Sequence, residues 1–133
     1  MIKKILEENG VEPTLLRIAV YRIFQTSGKP IDAQEIIQTL ENEYIKINRV
    51  TVFRTLNYFV EKSLIQKHEF GEGKARYELS SLPHHHHIIC TDCGNVKDIE
   101  DCSVDQIASK INEDEFKIQS HRLEFFGTCS SCQ

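Results

Sequence analysis

The chain has 133 residues, 40% of them hydrophobic, and a formal charge of −4. That length suits one ordinary domain or two small ones. No apolar run approaches the ~20 residues of a membrane span, and the acid-bearing amphipathic helix pattern of residues 1–10 does not fit a secretory leader, so a cytoplasmic protein without membrane contact is expected.

Residues 14–26 set Leu16, Ala19, Val20, Ile23 and Phe24 at helical spacing behind Thr14 as a cap, and Gly28 closes the helix. Asp32 caps a second helix over residues 33–44, with Ile36, Ile37 and Leu40 on one face and Glu35 at the capping-box position. A third helix begins after Asn48 and turns Val52, Leu56, Phe59 and Val60 inward. Residues 65–70 and 75–79 then flank Gly71-Glu72-Gly73-Lys74, the signal of a hairpin. Three helices followed by a hairpin is the order of a winged helix, whose third helix lies in the major groove of DNA. Arg49, Thr51 and Arg54 on that helix are residue types that hold phosphates or read base edges.

Ser80-Ser81-Leu82-Pro83 marks a boundary, and the charge changes there: residues 1–79 carry 12 Lys/Arg against 11 Asp/Glu, and residues 80–133 carry 4 against 9. The balance gives no overall basic footprint for nucleic acid, but a local cluster suffices to reach phosphates. The expected division is a DNA-binding domain over 1–80, a hinge over 81–85 and a dimerisation and metal-binding domain over 86–133. In the second domain, residues 86–90 and 96–99 read as strands and residues 103–111 as a short helix capped by Ser103. Val104, Ile107, Ala108 and Ile111 form the stripe of that helix, and residues 116–126 form the longest extended run. The fold class is α+β.

Cys90-Thr91-Asp92-Cys93 and Cys129-Ser130-Ser131-Cys132 carry the strongest chemistry. A two-residue gap turns both thiolates of a pair toward one ion, two pairs complete the sulfur tetrahedron of structural zinc, and Gly94 suits the tight turn behind the first pair. The competing readings are redox dithiols or ordinary buried cysteines. Five cysteines cannot all pair within a monomer, and Cys102, the fifth, reads as a small buried hydrophobe.

His84-His85-His86-His87 precedes the first pair. Along a strand alternate side chains face opposite ways, so His84 and His86 can feed one metal site while His85 and His87 feed another. Carboxylates near in sequence or topology are Glu78, Asp98, Glu100, Asp101 and Asp105, and the remaining histidines are His68 and His121. A zinc hydrolase or deaminase needs an open coordination position, which a four-cysteine shell lacks, and no His-x-Glu pattern precedes the cysteines. A metal-storage module has no use for three helices and a wing. Neither an enzyme nor a small organic substrate is expected.

Taken together, residues 14–17, 51–57, 68–78, 84–94 and 120–129 resemble the ferric uptake regulator superfamily, with a likeness running from about Leu6 to Cys132. The resemblance implies a metal-dependent repressor that binds palindromic operators as a homodimer, with structural Zn2+ at the four cysteines. The regulatory metal would be Fe2+ or Zn2+, with Mn2+ a further candidate. It maps an interdomain site onto Glu78, His85, His87 and Asp98, and a site in the dimer domain onto His84, His86, Asp105 and His121. Phe53 and Arg54 stand at the family's DNA-contacting Tyr-Arg pair, and Arg17, in the first matching segment, joins the DNA-contact set. Among the departures from the family, Pro30 stands where iron and peroxide sensors usually offer a histidine, so His68 becomes a candidate substitute, His86 replaces a frequent aspartate, and Phe53 lacks the hydroxyl.

Overall fold

Three capped helices frame the first half of the molecule, a computed structural model that describes residues 1–43 and 46–133. After α1 (Ile2–Glu8), the Thr14 hydroxyl accepts the Arg17 N–H at the start of α2 (Leu15–Thr26), and the Asp32 carboxylate accepts the Glu35 N–H at the start of α3 (Ala33–Asn42). The Asn48 side chain accepts the Val50 N–H to open α4 (Arg49–Glu61). Each cap satisfies an N–H that the first helical turn leaves without a partner. The expected α3 ended at Tyr44, which lies outside the described residues.

The chain divides into two compact units, Met1–Leu82 and Pro83–Gln133. In the first, the apolar stripes of the helices meet in one core: Leu6, Val20, Ile36, Ile37, Leu40, Val52, Leu56 and Phe59 are fully buried. Against it lies a small antiparallel sheet in the order β1-β3-β2, made of β1 (Ile31–Asp32), β2 (Ile65–Glu69) and β3 (Ala75–Leu79). Strands β2 and β3 form the wing, and Gly71 and Gly73 in its turn both have positive φ, the region glycine enters without penalty. Strand β1 has no counterpart in the sequence reading, because two residues carry no period; it exists through pairing of Ile31 with Tyr77 and Asp32 with Arg76. The wing turn is tied to α3 by Lys74, whose ammonium lies 2.6 Å from the second Asp32 oxygen.

The second unit is a three-stranded sheet in the order β5-β4-β6, from β4 (His86–Cys90), β5 (Val96–Ile99) and β6 (Glu124–Gly127), with α5 (Val104–Ala108) between β5 and β6. Strand β4 runs antiparallel to β5 and parallel to β6. The expected helix over 103–111 shortens to α5, and Ser103 makes no side-chain capping bond. Of the extended run over 116–126, only the last three residues join a strand, because β4 offers its free edge to β6 over four register positions. Ile107, Ile111, Phe116, Ile118, Phe125 and Phe126 all remain exposed.

Candidate metal centres and nucleic-acid interface

Helix α4 buries Val52, Thr55, Leu56 and Phe59 and turns Arg49, Thr51, Phe53, Arg54 and Asn57 to solvent. The exposed set recurs at three and four residues, so it forms one face. A groove of about 500 Å³ separates that face from the wing and is lined by Phe53, Asn57, Lys67 and Lys74 among others. Asn57, Lys67 and Lys74 were not among the sequence candidates. Asn57 sits one helical turn beyond Phe53, whereas the two lysines reach the groove only through the strand pairing. Two of the expected contacts are partly engaged within the unit. Arg49 donates to Gln34 Oε1 at 2.7 Å, and Arg17 donates to the Glu12 carbonyl while lying over the Tyr58 ring.

Cys90, Cys93, Cys129 and Cys132 bring all four sulfurs within 4.8 Å of one another. Two turns aim them. The Gly94 N–H donates to the Cys90 carbonyl with Gly94 at φ 76°, and the Cys132 N–H donates to the Cys129 carbonyl. Zinc–sulfur bonds of about 2.3 Å at tetrahedral angles set sulfurs roughly 3.8 Å apart; Cys93–Cys129 is 3.7 Å and Cys129–Cys132 is 3.6 Å. The cluster thus fits a structural zinc. As thiols the four resist ionising together. Backbone N–H groups of Cys129 and Cys93 bring Cys90 down to about 6, whereas hydrogen bonding with the Cys129 and Cys90 sulfurs drives Cys132 up to about 12. A dication removes that conflict by favouring all four thiolates.

The histidine run divides by face. His85 and His87 converge on Asp98, which sits opposite His87 in the β4–β5 register, with Nε2 atoms 4.0 and 3.6 Å from one Asp98 oxygen. Bonds of about 2.1 Å to nitrogen and oxygen place adjacent ligands roughly 3–3.5 Å apart, so the set can close on an ion with a small movement of the half-exposed Asp98. Its imidazole and carboxylate chemistry suits iron, manganese or zinc. Glu78 and His68 lie in the first unit, where Glu78 is buried and its carboxylate is 2.7 Å from His68 Nε2. Pro30 is fully buried and offers no donor.

On the other face, His84 and His121 each place Nε2 3.1 Å from His86 Nε2. The fourth side chain brought to this set is not the expected one. Asp105 is exposed in the first turn of α5 and does not belong to the cluster, whereas Cys102 does, with Sγ 3.2 Å from His86 Nε2 and 3.6 Å from His121 Nε2. Cys102 precedes the helix and therefore stays beside the sheet, while Asp105, a turn later, is carried outward. Burial, with the neighbouring imidazoles adding to it, pushes His86 below the usual histidine range, which keeps it neutral and able to ligate.

Comparison with known proteins gives a consistent result. The family model described as the ferric uptake regulator family matches residues 8–126. The ferric uptake regulation protein of Cupriavidus metallidurans is 35% identical over 127 residues, spanning 94% of this chain and 89% of that protein. Its counterpart in Neisseria meningitidis is 32% identical over 130 residues, spanning 96% and 90%. The crystal structure of the Vibrio cholerae ferric uptake regulator matches with a TM-score of 0.84 at 30% identity, covering 96% of this chain and 98% of that one.

Proposed function

Because the chain belongs to the ferric uptake regulator family, we propose that it is a metal-dependent repressor that binds palindromic DNA operators as a homodimer in the cytoplasm. The observation that carries this reading is the convergence of His85, His87 and Asp98 at the start of the strand that ends at the four-cysteine cluster, two sets of side chains able to hold metal ions. The first unit supplies the reader: Arg49, Thr51, Phe53 and Arg54 on the open face of α4, with the wing beside it. Arg54 suits a guanine edge, and Phe53 offers apolar contact with a thymine methyl.

Ile88 and Phe125, paired in the β4–β6 register and both exposed, put an apolar patch on one face of the sheet, which supports a dimer. The regulatory ion is Fe2+ or Zn2+, with Mn2+ suited to the same donors. Metal then shifts the dimer toward the shape that spans two half-sites, by no more than its differential affinity for the two shapes. A zinc hydrolase or a storage module gains no support from the relatives, which carry regulator names.

Operator binding by the His85→Ala/His87→Ala double variant tests the reading, with fluorescence anisotropy followed at fixed salt across a metal titration. The variant should remain a zinc-stapled dimer whose DNA affinity no longer rises with added metal. A response equal to that of the parent protein removes this pair from the sensor.

A further inference from the structure

Three histidines and one cysteine meet at a point that hydrogen bonding cannot satisfy. His86 Nε2 has three neighbours: His84 Nε2 at 3.1 Å, His121 Nε2 at 3.1 Å and Cys102 Sγ at 3.2 Å. A neutral imidazole nitrogen carries either one proton or one lone pair, so it can serve one partner well and not three. A cation at the centre serves all four groups. Zinc bonds of about 2.0–2.1 Å to nitrogen and 2.3 Å to sulfur, at tetrahedral angles, put nitrogens roughly 3.3–3.4 Å apart and nitrogen and sulfur roughly 3.6 Å apart. The recorded separations lie within a few tenths of an ångström of those edges, and Cys102–His121 at 3.6 Å coincides with one.

We propose that Cys102 is a metal ligand and that His84, His86, Cys102 and His121 form a closed, thiolate-bearing zinc site distinct from the four-cysteine one. The proposal rests on the metal-dependent regulator reading and adds to it a donor and a selectivity. Imidazole and carboxylate donors leave iron, manganese and zinc in competition, whereas one thiolate with three imidazoles disfavours the hard manganese ion and favours tetrahedral zinc. Four protein donors also leave no position for water, so the site holds its ion for structure. The segments it fastens are otherwise thinly anchored: His84 precedes β4, Cys102 lies between β5 and α5, and His121 precedes β6. An ion here pins the α5 region, with exposed Ile107 and Ile111, to the sheet.

Cobalt substitution gives a direct readout. The zinc-replete protein is treated with a weak chelator until one zinc per chain remains, and Co2+ is then titrated while zinc is followed by mass spectrometry. The parent protein should take up cobalt with the intense visible bands of a tetrahedral ion and a thiolate-to-cobalt charge-transfer band in the near ultraviolet, its four-cysteine zinc retained. Cys102→Ser should lose the charge-transfer band and bind zinc more weakly by more than the roughly 10–100-fold that follows loss of a ligand's supporting partner. Cys102→Asp should recover manganese binding without recovering the band. Cobalt uptake by the parent without the charge-transfer band, or an unchanged zinc affinity in Cys102→Ser, overturns Cys102 as a ligand and leaves a three-histidine site standing. Failure of the parent to take up a further metal overturns the site itself, while leaving the His85 and His87 sensor to its own test.

Discussion

Removing the sulfur staple should dissolve the second unit while sparing the first. The perturbation is Cys93→Ser with Cys129→Ser, which deletes two sulfurs 3.7 Å apart and 36 positions apart in sequence. Among the described residues the second unit buries only Ile89, Cys90 and Val96 as apolar side chains. Two fully buried aliphatic side chains contribute about 3–6 kcal/mol, against the roughly 10–16 kcal/mol that a structural zinc supplies in small domains. The metal therefore decides whether this unit folds. The first unit has an apolar core of its own, with eight fully buried aliphatic and aromatic residues along its helices and no metal cluster required to close it. Hydrogen exchange should show amides of residues 86–99 losing protection to near the free-peptide level, while α2 and α4 keep theirs. Native mass spectrometry should show a zinc-depleted monomer. A zinc-free variant that stays dimeric with protected β4 amides would refute the reasoning.

Arg54→Ala should cost about 1–3 kcal/mol of operator affinity per half-site and reduce discrimination between operator and random DNA; anisotropy titration with both duplexes checks it, with metal content and dimer state unchanged. Asp32→Ala should destabilise the first unit by about 1–2 kcal/mol through its cap, measured by urea unfolding. For Asp32, burial raises the carboxyl but is outweighed by the Lys74 ammonium and the Glu35 N–H, and the net shift is downward. The parent's advantage over Asp32→Ala should therefore be complete above the ordinary aspartate value of about 3.9 and fade as pH falls through the lower folded value. Ser63, at φ 58° where the Leu64 N–H closes α4 onto the Phe59 carbonyl, occupies the left-handed position that glycine fills at helix ends. Ser63→Gly should raise the thermal midpoint by relieving a backbone cost of about 1 kcal/mol.

The helices of the first unit were legible because each begins at a side chain that declares it: Thr14, Asp32 and Asn48 all accept the N–H their position demands. The four-cysteine cluster was legible through spacing, since the gap of two residues is itself the geometry of a turn. Histidine alternation likewise follows from the strand's period of two. What was not legible depends on contacts between distant segments. Strand β1 exists only because Tyr77 and Arg76 offer it partners. The run over 116–126 has strand composition, yet pairs only where an edge is available. Cys102 looked like filler, and Asp105 like a ligand, because the sequence does not say where α5 starts relative to the sheet. Three residues of displacement decide which of the two side chains lies beside the histidines.

Strand β4 holds His86 and His87 on opposite faces and ends at Cys90, opposite Gly127 of β6. Substitution along it changes one donor at a time, but a single inserted residue between His87 and Cys90 would do something different in kind. With the thiol held in place and the side-chain period fixed at two, the imidazoles upstream would all rotate to the other face. The pair that meets Asp98 would be delivered to Cys102 and His121, and the reverse. This stretch is therefore under a rule of parity: the number of residues between His87 and Cys90 is constrained more tightly than the identity of the exposed Ile88 between them.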